Sequence, residues 1–214
     1  MKKFLYPVIL LLIIVGLSLV KYYVDLQEDK SVIENCLHDR YSYLNGDFQV
    51  KYKGYDIKGP FYVVGENSNH VKFTLYMSQK TYITENFLEQ LYTAQFNKEY
   101  PDLFKSAEMI TVQPEITPFV SNLKSKRYPA NYKEDINQHY IMARFTVSAN
   151  DSRTFANHVL KFLEETKVIN AQFKGVRYLF IGPKMELIVD RNYADEKGII
   201  PASTEEILQR MTTK

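Results

Sequence analysis

The chain has 214 residues, 45% of them hydrophobic and 24% charged, with a formal net charge of +2. This is the mix of a folded globular protein rather than a disordered tract, and so small a charge argues against a nucleic-acid partner, which calls for a strongly basic domain. Cys36 is the only cysteine, which excludes an internal disulfide and a multi-cysteine zinc cage.

Residues 1–24 carry the strongest local signal. No charge falls between Lys3 and Lys21, and Phe4–Val20 would span about 25 Å as a helix. Tyr22 and Tyr23 follow and suit a membrane–water interface. The run is apolar on all sides, unlike the single stripe of a soluble core helix. The expectation is a single-pass transmembrane anchor. A cleaved signal peptide is the competing reading, because Gly16-Leu17-Ser18 offers small residues for cleavage and would leave a secreted chain. Apolar Leu19 and Val20 continue past that point and favour the anchor. A lipid-attached cysteine is disfavoured, since Cys36 lies well beyond the apolar run. Lys2 and Lys3 before the run point to an N-in orientation, with the bulk of the chain extracytoplasmic at the cell membrane.

Over residues 25–46, Leu26, Ile33, Leu37, Tyr41 and Leu44 recur at helical spacing, and Asn45-Gly46 supplies a stop. This predicts a stalk helix running on from the anchor. Residues 47–120 read as a first α+β unit. Strands are predicted at Phe48–Tyr52, Phe61–Gly65 and Val71–Met77, with the last two joined as a hairpin by the turn-rich "GENSNH". A helix carrying Ile83, Phe87, Leu88 and Leu91 follows, then two strands meeting at Pro114.

Residues 121–138 are polar and turn-rich and read as a basic linker. Lys124, Lys126, Arg127 and Lys133 interleave there with Tyr128 and Tyr132. Such a patch suits anionic headgroups, an acidic envelope polymer or an acidic protein surface, and these six residues are the candidate partner-binding site.

Residues 139–214 repeat the first unit's order. Phe145, Thr146 and Val147 answer Phe73, Thr74 and Leu75; Phe155, Val159, Leu160 and Leu163 form the helix stripe; Leu179, Ile181, Pro183, Met185 and Val189 mark two strands meeting at a proline. Asn150-Asp151-Ser152 offers a helix N-cap, and Ser203 with Glu206 has capping-box spacing for a short final helix. The expected class is therefore α+β: an N-terminal transmembrane helix, then an antiparallel-sheet domain built from two β-α-β-β units with helices on one side.

Catalytic signatures are absent. His38, His70, His139 and His158 make no i, i+4 metal pair and no HExxH, and neither a phosphate loop nor a GxSxG elbow can be drawn. Cys36, His38, Asp39 and Arg40 cluster in sequence, yet on a helix Cys36 and His38 point apart. No cofactor or metal is expected. The expected function is a non-enzymatic interaction module for an envelope or membrane protein, through exposed sheet edges or the basic loop. Binding of a small ligand or anionic polymer in the gap between the units is the alternative, and an envelope enzyme is less favoured. The lysine-, asparagine- and tyrosine-rich composition suggests a bacterial chain.

Overall fold

The computed structural model describes residues 2–78, 82–102, 107–114, 129–134, 139–167, 175–190 and 200–213. The class is α+β: a long apolar N-terminal helix precedes largely antiparallel sheet with further helices. The chain divides into two compact units, the described residues up to Phe87 in one and those from Leu88 onward in the other.

In the first unit a single helix, α1 (Lys2–Tyr41), runs through both the expected anchor and the expected stalk. At 1.5 Å per residue it is about 60 Å long. Residues 6–20 are exposed on every side, and α1 is long and apolar enough to cross a membrane. A 3₁₀ turn (Ser42–Leu44) ends it, and Asn45 adopts the left-handed conformation at φ 49°, which asparagine tolerates better than most residues.

The second half of α1 packs on a sheet. Asp29, Ile33, Leu37 and Tyr41, each four residues from the next, are buried, so one helical stripe faces the fold. Strands β1 (Phe48–Asp56), β2 (Gly59–Glu66), β3 (Val71–Ser78) and β4 (Tyr82–Glu85) form that sheet as an antiparallel meander in sequence order. The hairpin expected across residues 65–70 is present: Glu66 pairs with Val71, and the Glu66 carboxylate accepts from the backbone amides of Ser68 and Asn69 at 2.7 Å each.

Two strand assignments differ from the sequence expectation. β1 continues to Asp56 because a bulge at Val50–Tyr52 lets it go on pairing with β2 through "KGYD". Ile83 belongs to β4 rather than to a helix, and α2 (Phe87–Glu99) starts four residues later. Tyr82, Ile83 and Thr84 favour a pleated surface, and they pair with Tyr76, Met77 and Ser78.

The second unit holds α2 from Leu88 onward and a five-stranded sheet. Its strands are β5 (Ala107–Pro114), β6 (His139–Thr146), β7 (Gly175–Ile181), β8 (Met185–Asp190) and β9 (Thr212–Thr213), again in sequence order. β6, α3 (Ser152–Glu165), β7 and β8 form the expected β-α-β-β order. The pair β6–β7 is the parallel one in this sheet, because a crossover helix brings the chain back to the same end. Asp151 caps α3 by accepting from the Thr154 amide at 2.9 Å. Ser203 caps α4 (Thr204–Arg210) by accepting from the Glu206 amide at 3.2 Å.

The earlier β-α-β-β order does not close into one sheet. β3 already has β2 and β4 on its two sides, so no position beside it is left for β5, which pairs with β6. The strand expected at Ile116–Val120 lies outside the described residues.

Candidate functional site

The basic loop is only partly described. Lys124, Lys126, Arg127 and Tyr128 lie outside the described residues. Tyr132 and Lys133 sit on a short turn held against α2 of their own unit. Tyr132 is buried, and its hydroxyl donates to Glu99 Oε2 at 2.8 Å. Its backbone amide reaches Gln95 Oε1 at 3.2 Å, and the Tyr92 hydroxyl donates to the Pro129 carbonyl at 2.8 Å. Lys133 forms an ion pair with Glu99. Burial and the Glu99 carboxylate push the Tyr132 phenol up, while hydrogen bonds from Lys133 and Tyr132 hold Glu99 below its usual range. Both described members of the patch are thus tied to α2.

The residues around Cys36 do not converge. Cys36 is half-buried on α1, and His38 and Asp39 are exposed. Arg40 turns to Glu85 at 3.1 Å. Glu85 is buried and also accepts from the Tyr41 hydroxyl and the Phe87 amide, so its charge meets three donors. It ties the end of α1 to the end of β4.

The most concentrated polar chemistry lies beneath α1, where the strand alternation of the sequence points to no buried charge. An unbroken strand would turn Tyr52 inward and Lys53 outward. The bulge at Val50–Tyr52 reverses that phase, leaving Lys53 5% exposed and Tyr52 52% exposed. The Lys53 ammonium lies 3.3 Å from Asp29 Oδ2 and 3.6 Å from Asp25 Oδ2, both on α1. The Tyr62 hydroxyl, from the neighbouring strand, donates to the same Asp29 oxygen. Burial alone would lower the Lys53 pKa, but its bonds to Tyr62 and Asp29 outweigh burial and hold it well above the usual range. Burial and the hydrogen bond to Asp29 push Tyr62 up as well.

The same helix engages the free edge of β1. The Tyr22 hydroxyl donates to the Lys53 carbonyl at 2.6 Å and accepts from the Lys53 amide at 3.3 Å. Glu34 Oε1 accepts from the Val50 amide at 3.1 Å, at the bulge. In the second unit, the edge strand β5 has its Val112 amide bonded to Thr93 Oγ1 of α2 at 2.8 Å. Backbone groups that would template an added strand are occupied at these points.

The second unit also has an open hollow of about 380 Å³, with Phe145, Phe162 and Phe180 lining it beside His158, Lys161 and Glu165. Lys161 lies 3.9 Å from Glu165, one helical turn on. Among the described residues no group of three or more His, Cys, Asp or Glu is placed to hold a metal ion.

No family model, curated protein or solved structure matches the chain.

Replacing Lys53 by alanine leaves Asp29 and Tyr62 facing a void, and removing one member of a buried ion pair costs about 3 kcal/mol or more. Lys53→Ala should lower the first unit's unfolding free energy by about that amount, measured by circular dichroism on the full chain in detergent micelles. Alkaline pH provides a second check. In the unfolded chain tyrosine and lysine lose their protons near pH 10, whereas the fold holds those of Tyr62, Tyr41 and Lys53 to higher pH. Above about pH 10 the unfolded state binds fewer protons, so stability should be level below that pH and fall as pH rises. Tyr62→Phe should make the fall shallower in the same melting series.

Proposed function

We propose that this chain is a single-pass, membrane-anchored, non-enzymatic interaction module of a bacterial envelope, N-in with its folded units extracytoplasmic, whose partner is another envelope or membrane protein. The observation that carries this reading is the continuity of α1. The exposed apolar segment is the same helix that is clamped to the first sheet through Lys53, Asp29 and Glu85. A flexible tether would let a domain tumble. A continuous helix instead sets the first unit's height and facing relative to the bilayer. Orientation settled in advance removes part of the entropic cost of meeting a partner in the same membrane. Lys2 and Lys3 ahead of the apolar run support the N-in orientation.

A second reading rests on the hollow beside α3. Its volume is that of a small-molecule pocket, and its aromatic lining with a few polar groups is the usual composition of one. A small ligand or the acidic end of an envelope polymer could lie on Phe145 and Phe180 with its charge at Lys161.

The two readings separate on purification of the tagged full-length chain from gently solubilised membranes. The interaction reading predicts a stoichiometric protein partner. It also predicts that two glycines inserted after Lys21, which break the helix between anchor and sheet, reduce that partner sharply while the first unit still folds. A preparation with no stoichiometric protein would contradict it and turn attention to the hollow.

A further inference from the structure

Beyond α1, large apolar side chains left exposed among the described residues are Tyr52, Tyr55, Ile57, Met109 and Ile188. Three of these lie on β1 or at its tip. Ile57 stands fully exposed in the two-residue turn between Asp56 and Gly59, which pair with each other. Hairpin turns ordinarily carry Gly, Asn or Asp, because the backbone demands it and water rewards it. Gly59 meets the backbone demand at φ 112°. The isoleucine at the tip is left with its apolar side chain in water.

The direction of β1 relative to α1 says what the tip meets. The Phe48 ring packs 5.9 Å from Tyr41, the Val50 amide reaches Glu34, and Lys53 reaches Asp29, Asp25 and Tyr22. Each step forward along β1 is thus a step back along α1 toward its apolar end. Ile57 lies a further 13 Å or so along an extended strand, the rise of about nine helical residues. Counted from Asp25, the middle of the three helix residues that Lys53 reaches, this carries the tip to about the level of Gly16, roughly 6 Å inside the charge-free run that ends at Val20.

We infer that the β1–β2 tip is a second membrane contact, with Ile57 entering the headgroup–acyl boundary beside the anchor. The inference rests on α1 spanning the bilayer, and it adds a lipid-facing element to that reading. Amphipathic elements of this kind bury their apolar groups about 5–10 Å into the boundary, and Tyr55 and Tyr23, both exposed, belong at the interface above. Lys58 is exposed, with its ammonium 5.8 Å from the centroid of the Tyr76 ring, and on this reading its charge lies at the depth of the phosphate layer. Asp56, the acid on the tip, is already committed: it accepts from the Tyr76 hydroxyl at 2.6 Å and from the Lys58 amide at 2.8 Å. Two contacts fix the tilt of α1 where one helix alone would leave it free.

The chain contains no tryptophan, so a single introduced one reports without background. Ile57→Trp and, separately, Leu12→Trp are made in the full chain and reconstituted into phosphatidylcholine–phosphatidylglycerol vesicles containing lipids brominated near the carbonyl or near the chain end. The inference predicts blue-shifted Ile57→Trp emission, strongly quenched by the shallow bromines and protected from aqueous iodide. Leu12→Trp is quenched by the deep bromines if α1 spans the bilayer. Quenching at position 12 with iodide-accessible, lipid-insensitive emission at position 57 overturns the hairpin contact and leaves the anchor standing. No lipid quenching at either position overturns the anchor and the contact together.

Discussion

The Lys53 ammonium, buried beneath α1 between Asp29 and Asp25, is the contact on which the first unit's arrangement depends. A lysine taken out of water without partners would lose its proton or expel the helix above it. Here it keeps its charge because two carboxylates come down from one face of α1 and Tyr62 bonds to the nearer one. Asp25 and Asp29, one helical turn apart, present their carboxylates together. The pair also specifies register. Sliding α1 by a turn along the sheet would replace one of the two carboxylates with Ile33 or with the like charge of Lys21, so a hydrophobic interface that tolerates slippage is given a preferred position.

From that position the other contacts follow. Ile33, Leu37 and Tyr41 bury their side chains on the sheet, each fully buried apolar group contributing roughly 1.5–3 kcal/mol. Glu85 collects Arg40, Tyr41 and the Phe87 amide at the far end of the interface. Tyr22 and Glu34 take up backbone groups on the outer edge of β1. The helix therefore acts as core, as edge cover and, through its exposed half, as the part suited to lipid. Severing any one of these roles from the others would require breaking the same helix.

Features decided by local chemistry were legible in the sequence. The apolar run, the stop at Asn45, the turn over residues 65–70 and the caps at Asp151 and Ser203 each depend on a few neighbouring residues. Features decided by distant competition were not. The alternation around Ile110 and Val112 identifies a strand but not its neighbour, and β5 joined β6 because β4 had filled the place beside β3. Ile83 lies at helical spacing from Phe87, so the helix pattern extends over it although it belongs to β4. Lys53 was invisible because one extra residue at the bulge reversed the phase of β1, and "KGYD" carries turn residues that mask a continuing strand. Of the basic patch, Tyr132 reads as an exposed interleaved aromatic, and only the geometry of Gln95 and Glu99 shows it to be buried.

Amide hydrogen exchange along α1, followed by mass spectrometry on the full chain in lipid nanodiscs, tests the central claim that the apolar segment and the core are one helix. Continuous slow exchange from the apolar run through residue 41, comparable to that of β2 and β3, is the predicted result. Rapid exchange confined to residues 21–30, with protected segments on either side, would mean a hinge between the apolar segment and the fold and would contradict the account.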